Sequence, residues 1–179
     1  IGYFYAKKYS NDYLIIHDID IIPLNMLLNY NYPKNGPYHI ADPRIHPLYH
    51  YHKYIGGILS ITLKHFEKIN GMSNEFWGWG REDDDLYKRL EKNKLSLHRI
   101  KDVENKNFPF FIHDHPHSEK RDLTNILHNS YTLQSRNFGN GLTTLKYELI
   151  KIEEKTTQGW EYKIINVKLI CTKKYKIYC

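Results

Sequence analysis

Residues 76–85 read Phe-Trp-Gly-Trp-Gly-Arg-Glu-Asp-Asp-Asp, so two indoles and two glycines run straight into an arginine and four consecutive carboxylates. As plain scaffold this stretch would be costly. Glu82, Asp83, Asp84 and Asp85 repel one another, Gly78 and Gly80 carry a high backbone entropy cost, and exposed Trp77 and Trp79 would set apolar surface against water. A carbohydrate site accounts for all three features, because a flat ring stacks on the C–H face of a sugar while carboxylates take its hydroxyls. Acids also suit the N-terminus of the helix that begins about Asp85-Leu86-Tyr87, through its backbone dipole. One or two would serve that purpose, and four leave some over for chemistry. Transfer to an acceptor hydroxyl needs a carboxylate within hydrogen-bond reach of the attacking oxygen. Any of the four could act, and crowding among them raises at least one pKa toward the range of a useful base.

A second acidic pair, Asp18-Ile19-Asp20, follows the apolar run Tyr13-Leu14-Ile15-Ile16. Two carboxylates at the C-terminal end of a strand can hold a divalent ion against a diphosphate, and α/β sheets bind ligands at that end. His113-Asp114-His115 offers two imidazoles to the same ion. A mixed carboxylate and imidazole set suits Mn²⁺ better than Mg²⁺, which prefers oxygen and water. In a chain with 11 histidines a His-x-His is ordinarily a solvated loop, and only its combination with Asp20 argues for a metal.

The elements that would position these groups can be read in outline. At 179 residues the chain is long enough for one domain with a real core, and is read as a single domain, 1–179. The run 13–16 predicts a strand buried on both faces. Residues 30–54 predict a long loop crowded with Tyr, His and Pro, of a length that is commonly functional. Residues 55–61 predict a second buried strand carrying an awkward Gly56-Gly57 pair, and Thr62 predicts the N-cap of a short helix stopped at Asn70-Gly71. A strand is expected over 95–100, an irregular segment over 102–118, and a polar helix over about 122–134. A C-terminal hairpin is expected from 142–152 and 160–170 about a turn at 156–159. The class is α/β.

Composition narrows the function. The net charge of +6 is diffuse, without the basic stripe or module of a nucleic-acid binder, so nucleic acid is excluded as a partner. No apolar run reaches membrane-spanning length. The 16 tyrosines suit carbohydrate, each joining an apolar face to a hydroxyl.

Three long segments together resemble the β-1,4-galactosyltransferases. They are His17-Asp18-Ile19-Asp20-Ile21-Ile22-Pro23-Leu24-Asn25, Tyr54-Ile55-Gly56-Gly57, and the run from Asn70-Gly71-Met72-Ser73-Asn74-Glu75 through Asp85. The resemblance covers nearly the whole chain. It looks closest to the branch whose acceptor is xylose in the proteoglycan linker. His46-Pro47-Leu48-Tyr49-His50-Tyr51 is similar to that branch's acceptor loop, Arg81 replaces the glycine of most relatives, and His-x-His replaces a Met-x-x-His motif. The pattern over 166–171 and the Cys171/Cys179 spacing also look like that branch.

The resemblance implies a GT-A type nucleotide-sugar transferase fold, of which this chain would be the C-terminal part, with most of the nucleotide-binding half upstream of Ile1. It implies an inverting transfer of galactose from UDP-galactose to β-xylose on a proteoglycan core protein. Asp83 would be the catalytic base, and Asp20, His113 and His115 would bind Mn²⁺. Asp18, Tyr54, Trp79 and Glu82 would bind the donor, with Trp79 and Glu82 also able to reach the acceptor sugar; Tyr49, Tyr51 and Asp84 would bind the acceptor. The family has one more residue between its His-x-His and the next proline; Pro116 directly follows His115 here, which makes His117 a spare candidate ligand. The expected location is the Golgi lumen, through an N-terminal membrane anchor outside this chain, and Cys171 and Cys179 could form a disulfide there. Two rival readings keep part of this chemistry: transfer to an N-acetylglucosamine acceptor, and a non-catalytic sugar-binding fragment using Trp77 and Trp79. A third, a metal-dependent hydrolase, lacks a recognisable zinc motif.

Overall fold

The computed structural model describes residues 1–101, 103, 108–115 and 120–170. The spare ligand His117 and the cysteine pair Cys171 and Cys179 lie outside the described residues. Two compact units are present, Ile1–Thr143 and a second that begins at Thr144.

The first unit opens with helix α1 (Gly2–Lys8), strand β1 (Tyr13–His17) and strand β2 (Ile21–Pro23). A two-residue strand β3 (Tyr38–His39) interrupts the long Tyr-rich loop, and β4 (Ile58–Thr62) follows the glycine pair. Helices α2 (Leu63–Lys68) and α3 (Glu82–Lys92), strands β5 (His98–Arg99) and β6 (Phe111–His113), and helix α4 (Ile126–Ser135) complete it. The main sheet has the order β1-β4-β3-β5, with β4 antiparallel to both neighbours and β3 parallel to β5. A separate ribbon pairs β2 with β6.

Strand β4 is the spine of the core because it is buried at every position. Its alternating side chains feed two apolar clusters. Leu59 and Ile61 pack with Phe66 of α2 and Leu86 and Leu90 of α3. Ile58 faces the other way, toward Ile21, Ile40, Phe110 and Phe111. The expected N-cap is realised, since Thr62 Oγ1 accepts from the His65 amide at 3.1 Å. Strand β1 differs from expectation. It is an edge strand of this sheet and only half-buried, with Leu14 and Ile16 packed against one apolar cluster and Ile15 against the other.

The acidic stretch does begin a helix, and all four carboxylates fall in the first turn of α3. Asp85 is set apart from the other three. It is buried, and its Oδ2 accepts from Arg89 Nε at 2.6 Å; the Arg89 side chain is wholly inaccessible. Arg89 also donates to the carbonyls of Ile69 and Asn137, so one guanidinium ties α3 to the turn after α2 and to the segment after α4. Asp85 is therefore committed to the scaffold and leaves the list of possible bases.

The second unit is a hairpin of β7 (Tyr147–Thr157) and β8 (Trp160–Leu169), with Gln158-Gly159 at the turn and a register shift near Leu149. The hairpin is the one expected, although its first strand starts later and runs further, so that the turn shrinks to two residues.

Removing one partner of a buried ion pair strands the other. Asp85→Ala is expected to lower unfolding free energy by about 3–5 kcal/mol, read in denaturant titrations, whereas Asp84→Ala, at the surface with Arg81, should cost under about 1 kcal/mol.

Candidate active site

One cleft of about 1430 Å³ in the first unit is lined by Asp18, Asp20, Tyr49, Tyr51, Tyr54, Trp79, Glu82, Asp83, Asp84, His113 and His115, whereas Trp77 and Asp85 stand outside it. The lining residues come from sequence positions far apart, and the chain brings them together by three local devices.

The first is the β2–β6 ribbon. Ile21 pairs with His113, and the amide of Asp114 donates to the Asp20 carbonyl at 2.7 Å. That register places the Asp-x-Asp beside the His-x-His. Asp20 Oδ2 lies 3.3 Å from His113 Nε2 and 3.4 Å from His115 Nδ1. Among the described residues no group of three or more acidic, His or Cys side chains is already arranged to hold a metal ion; here the two rings close directly on the carboxylate. The separations nevertheless suit a cation, because two donors about 2.2 Å from an octahedral ion stand roughly 3 Å apart. His115 Nε2 is shut away without a partner among the described residues, so that ring retains unspent capacity. One carboxylate and two imidazoles fit a Mn²⁺-type ion.

The second device is the Trp-Gly-Trp-Gly loop. Gly78 has φ +70° and Gly80 φ +104°, and a Cβ on either would press on Asp122 or Ile126 at 3.0 and 2.8 Å. Buried Asn129 of α4 donates to the Trp77 and Gly80 carbonyls, and the Trp79 amide donates to the Asp122 carbonyl at 2.8 Å. The loop thus lies against α4 and the segment just before it. Trp79 faces the cleft, whereas Trp77 is turned to the scaffold, its indole donating to the Asn74 carbonyl. Only one of the two indoles therefore lines the cleft. Arg81 follows in the left-handed region at φ +78°, a conformation that glycine adopts freely and that strains a side-chain-bearing residue.

The third device is the turn that carries Gly56. A Cβ built on Gly56 would stand 2.2 Å from Asp83 Oδ2 and 2.8 Å from the Tyr54 ring. Only a hydrogen at this position lets the Asp83 carboxyl sink against the backbone. Behind it, His39 is fully buried and its Nε2 lies 2.9 Å from the Gly56 carbonyl. Burial pushes the His39 pKa down to about 4, so the ring is neutral and donates. Arg99 holds the same turn by donating to the carbonyls of His52 and Tyr54.

Electrostatics separate the acids. Burial, then the charges of Glu82, Asp18 and Asp84, pushes the Asp83 carboxyl up to about 7. Burial also raises Glu82 and Asp18, the latter further through Asp20. Glu82 Oε2 is buried with no hydrogen-bond partner among the described residues, an acceptor suited to a ligand hydroxyl. Burial likewise raises Tyr51 to about 12 and Tyr54 still higher, so both phenols stay protonated as donors.

Arg121 was not legible as a site residue. Its guanidinium stacks 4.4 Å from the Trp79 ring and donates to the Tyr49 hydroxyl, bridging two residues of the cleft. In sequence it stands in Lys120-Arg121-Asp122, which reads as the solvated start of a polar helix. The irregular segment expected over 102–118 contains β6, whose short run Phe110-Phe111-Ile112 was the available signal.

Comparison with known proteins agrees with this geometry. A family model described as "N-terminal domain of galactosyltransferase" matches residues 36–114. The catalytic domain of Drosophila beta1,4galactosyltransferase 7, solved in complex with xylobiose, superposes with a TM-score of 0.89 at 36 % identity, over 99 % of this chain and 75 % of that one. The chain belongs to the β-1,4-galactosyltransferase family. A mutant of the same Drosophila galactosyltransferase, in complex with manganese, UDP-Gal and xylobiose, matches at 35 % identity with a TM-score of 0.89, covering 99 % and 75 % of the two chains. Among curated galactosyltransferases, Beta-1,4-galactosyltransferase 7 of Mus musculus is 39 % identical over 177 residues, 98 % of this chain and 54 % of the mouse protein. Xylosylprotein 4-beta-galactosyltransferase of Caenorhabditis elegans is 37 % identical over 183 residues, all of this chain and 63 % of the nematode protein. The chain thus spans little more than half the length of these relatives. The fold is that of the catalytic domain of a GT-A type galactosyltransferase.

A carboxyl whose pKa is about 7 in the fold and ordinary when unfolded binds its proton more tightly in the folded state. Stability from this group is therefore full below pH about 4 and is lost as pH rises through 7. Asp83→Asn is expected to raise stability by a few kcal/mol at pH 8 and by much less at pH 4. Thermal denaturation across that range reads the difference; an equal effect at both ends would contradict the burial of this charge.

Proposed function

We propose that this chain is the C-terminal portion of a catalytic domain that moves galactose from UDP-galactose to the 4-hydroxyl of β-xylose on a proteoglycan core protein. The observation that carries the reading is one cleft joining an Asp20–His113–His115 cluster to a buried carboxyl of raised pKa, Asp83, beside Tyr49, Tyr51 and Trp79.

In this reading Asp83 takes the proton of the xylose 4-hydroxyl. The freed oxygen attacks the anomeric carbon of galactose from the face opposite the diphosphate, the C–O bond to phosphate breaks, and UDP leaves. A single displacement inverts α-linked donor to β-linked product. A carboxyl near pKa 7 is matched to this task, since it is half ionised at neutral pH and retains a strong pull on the proton. Mn²⁺ bound by Asp20, His113 and His115 would neutralise the diphosphate's charge. Asp18 and Glu82 hold galactose hydroxyls, and Trp79 stacks on a sugar face. The Tyr54 ring leaves little room for an N-acetyl group on the donor. Tyr49 and Tyr51 flank the xylose ring, and Asp84 takes its hydroxyls. Arg121, fixed on Trp79 and Tyr49, lends positive charge where acidic groups crowd. By the same reading the complete protein works in the Golgi lumen as a type II membrane protein whose anchor lies outside this chain.

The test is galactose transfer by the complete polypeptide to a β-xyloside and to an N-acetylglucosaminide, with Mn²⁺ and with chelator. Transfer to the xyloside that needs the ion is expected. Asp83→Asn should lower kcat by roughly 10²–10⁴-fold, and Gly56→Ala, which displaces the same carboxyl, should lose most activity with the fold retained. Preference for N-acetylglucosaminide would give the acceptor to the lactosamine-type reading, and sugar binding without turnover would favour a binding module.

A further inference from the structure

His46 sits in the cleft wall, 2 % exposed, and neither the metal cluster nor the acidic trio uses it. Its Nδ1 accepts the backbone amides of Leu48 and Tyr49, both at 3.0 Å. A ring nitrogen that accepts two N–H donors carries no proton, so the proton of the neutral imidazole is on Nε2. Burial pushes the ring's pKa down to about 4, which keeps it neutral. Nε2 lies 3.2 Å from the Tyr54 hydroxyl oxygen, and the imidazole donates to it.

That assignment fixes a second proton. With its oxygen already accepting from His46, the Tyr54 hydroxyl must turn its own hydrogen elsewhere, and Tyr54 lines the same cleft as Asp83 and Asp18. The rings are packed as well as bonded. The His46 centroid is 4.9 Å from Tyr54, edge to face, and 5.1 Å from Tyr49. Gly57 closes the remaining side, since a Cβ there would be 3.3 Å from the Tyr54 oxygen and 3.6 Å from His46.

We propose that His46 is a positioning residue that fixes the Tyr54 hydroxyl as a donor into the cleft and, through the Leu48 and Tyr49 amides, holds Tyr49 beside it. One imidazole thereby aligns a donor-side and an acceptor-side phenol. The inference rests on the transferase reading for its consequence in turnover, while the tautomer stands on geometry alone.

Two measurements test it. In ¹⁵N-histidine NMR of the protein without substrate, His46 is expected as the Nε2–H tautomer, with its Nε2 resonance moved by Tyr54→Phe. An Nδ1–H tautomer, or no response to Tyr54→Phe, would overturn the assignment. In transfer to a β-xyloside, His46→Leu and Tyr54→Phe are each expected to lower kcat/KM by roughly 10–100-fold, as when a side chain that orients a functional group is lost. The double variant should be no worse than the poorer single one, and His46→Gln, which keeps an acceptor and a donor, should recover part of the loss. Multiplying losses at equal folded fraction, without recovery in His46→Gln, would make His46 merely structural. Absence of transfer by the parent protein would count against the transferase reading, while the NMR arm would still decide the bond.

Discussion

The Asp83 carboxyl lies so close to the backbone of Gly56 that a methyl group could not stand between them, and the rest of the cleft depends on that contact. A carboxyl taken out of water is costly to ionise, and three further acids nearby make it costlier. The chain therefore carries a destabilising charge at the centre of its cleft, held there by structure built for the purpose. Gly56 gives the space and the neutral His39 ring anchors its carbonyl. Arg99 ties down the turn, and the first turn of α3 presents the acid from the other side. Helix α3 can hold such a group because its own attachment to the core is secured separately, by Leu86, Leu90 and the buried Asp85–Arg89 pair.

The four adjacent carboxylates consequently divide their labour by environment. Asp85 is neutralised by Arg89 and serves the fold. Asp84 is bonded to Arg81 at the cleft edge. Glu82 keeps an unpartnered oxygen, and Asp83 holds the raised pKa. Across the cleft the Asp20–His113–His115 cluster is set at the end of the β2–β6 ribbon, and the amide of Asp18 donates to the Gly57 carbonyl at 2.8 Å, so the two halves of the proposed chemistry are tied through the glycine turn.

Much of this was legible in the sequence, for identifiable reasons. The Asp-x-Asp after an apolar run, the Trp-Gly-Trp-Gly-Arg stretch and the Gly pair are local patterns whose physical requirements are unusual, and each sits where expected. The strand over 13–16 was legible as a strand but not as an edge, because edge position depends on which distant segments pair with it, and only β4 does. Asp85 could not be told from its neighbours until helix geometry set it one turn before Arg89. Arg121 was hidden since its role comes from distant Trp79 and Tyr49, with nothing in the adjacent residues to mark it. The two-residue strand β3 and the three-residue strand β6 are too short for any periodicity to show, yet β6 is what brings the histidines to Asp20.

Asp83 is a buried acid tuned toward neutrality rather than an ordinary surface carboxylate. The most direct measurement is a ¹³C NMR titration of the aspartate carboxyl carbons, with the Asp83 signal assigned by its disappearance in Asp83→Asn. A midpoint near 7 is expected. A midpoint near 4, in the range of an exposed aspartate, would contradict it and leave the cleft without its base.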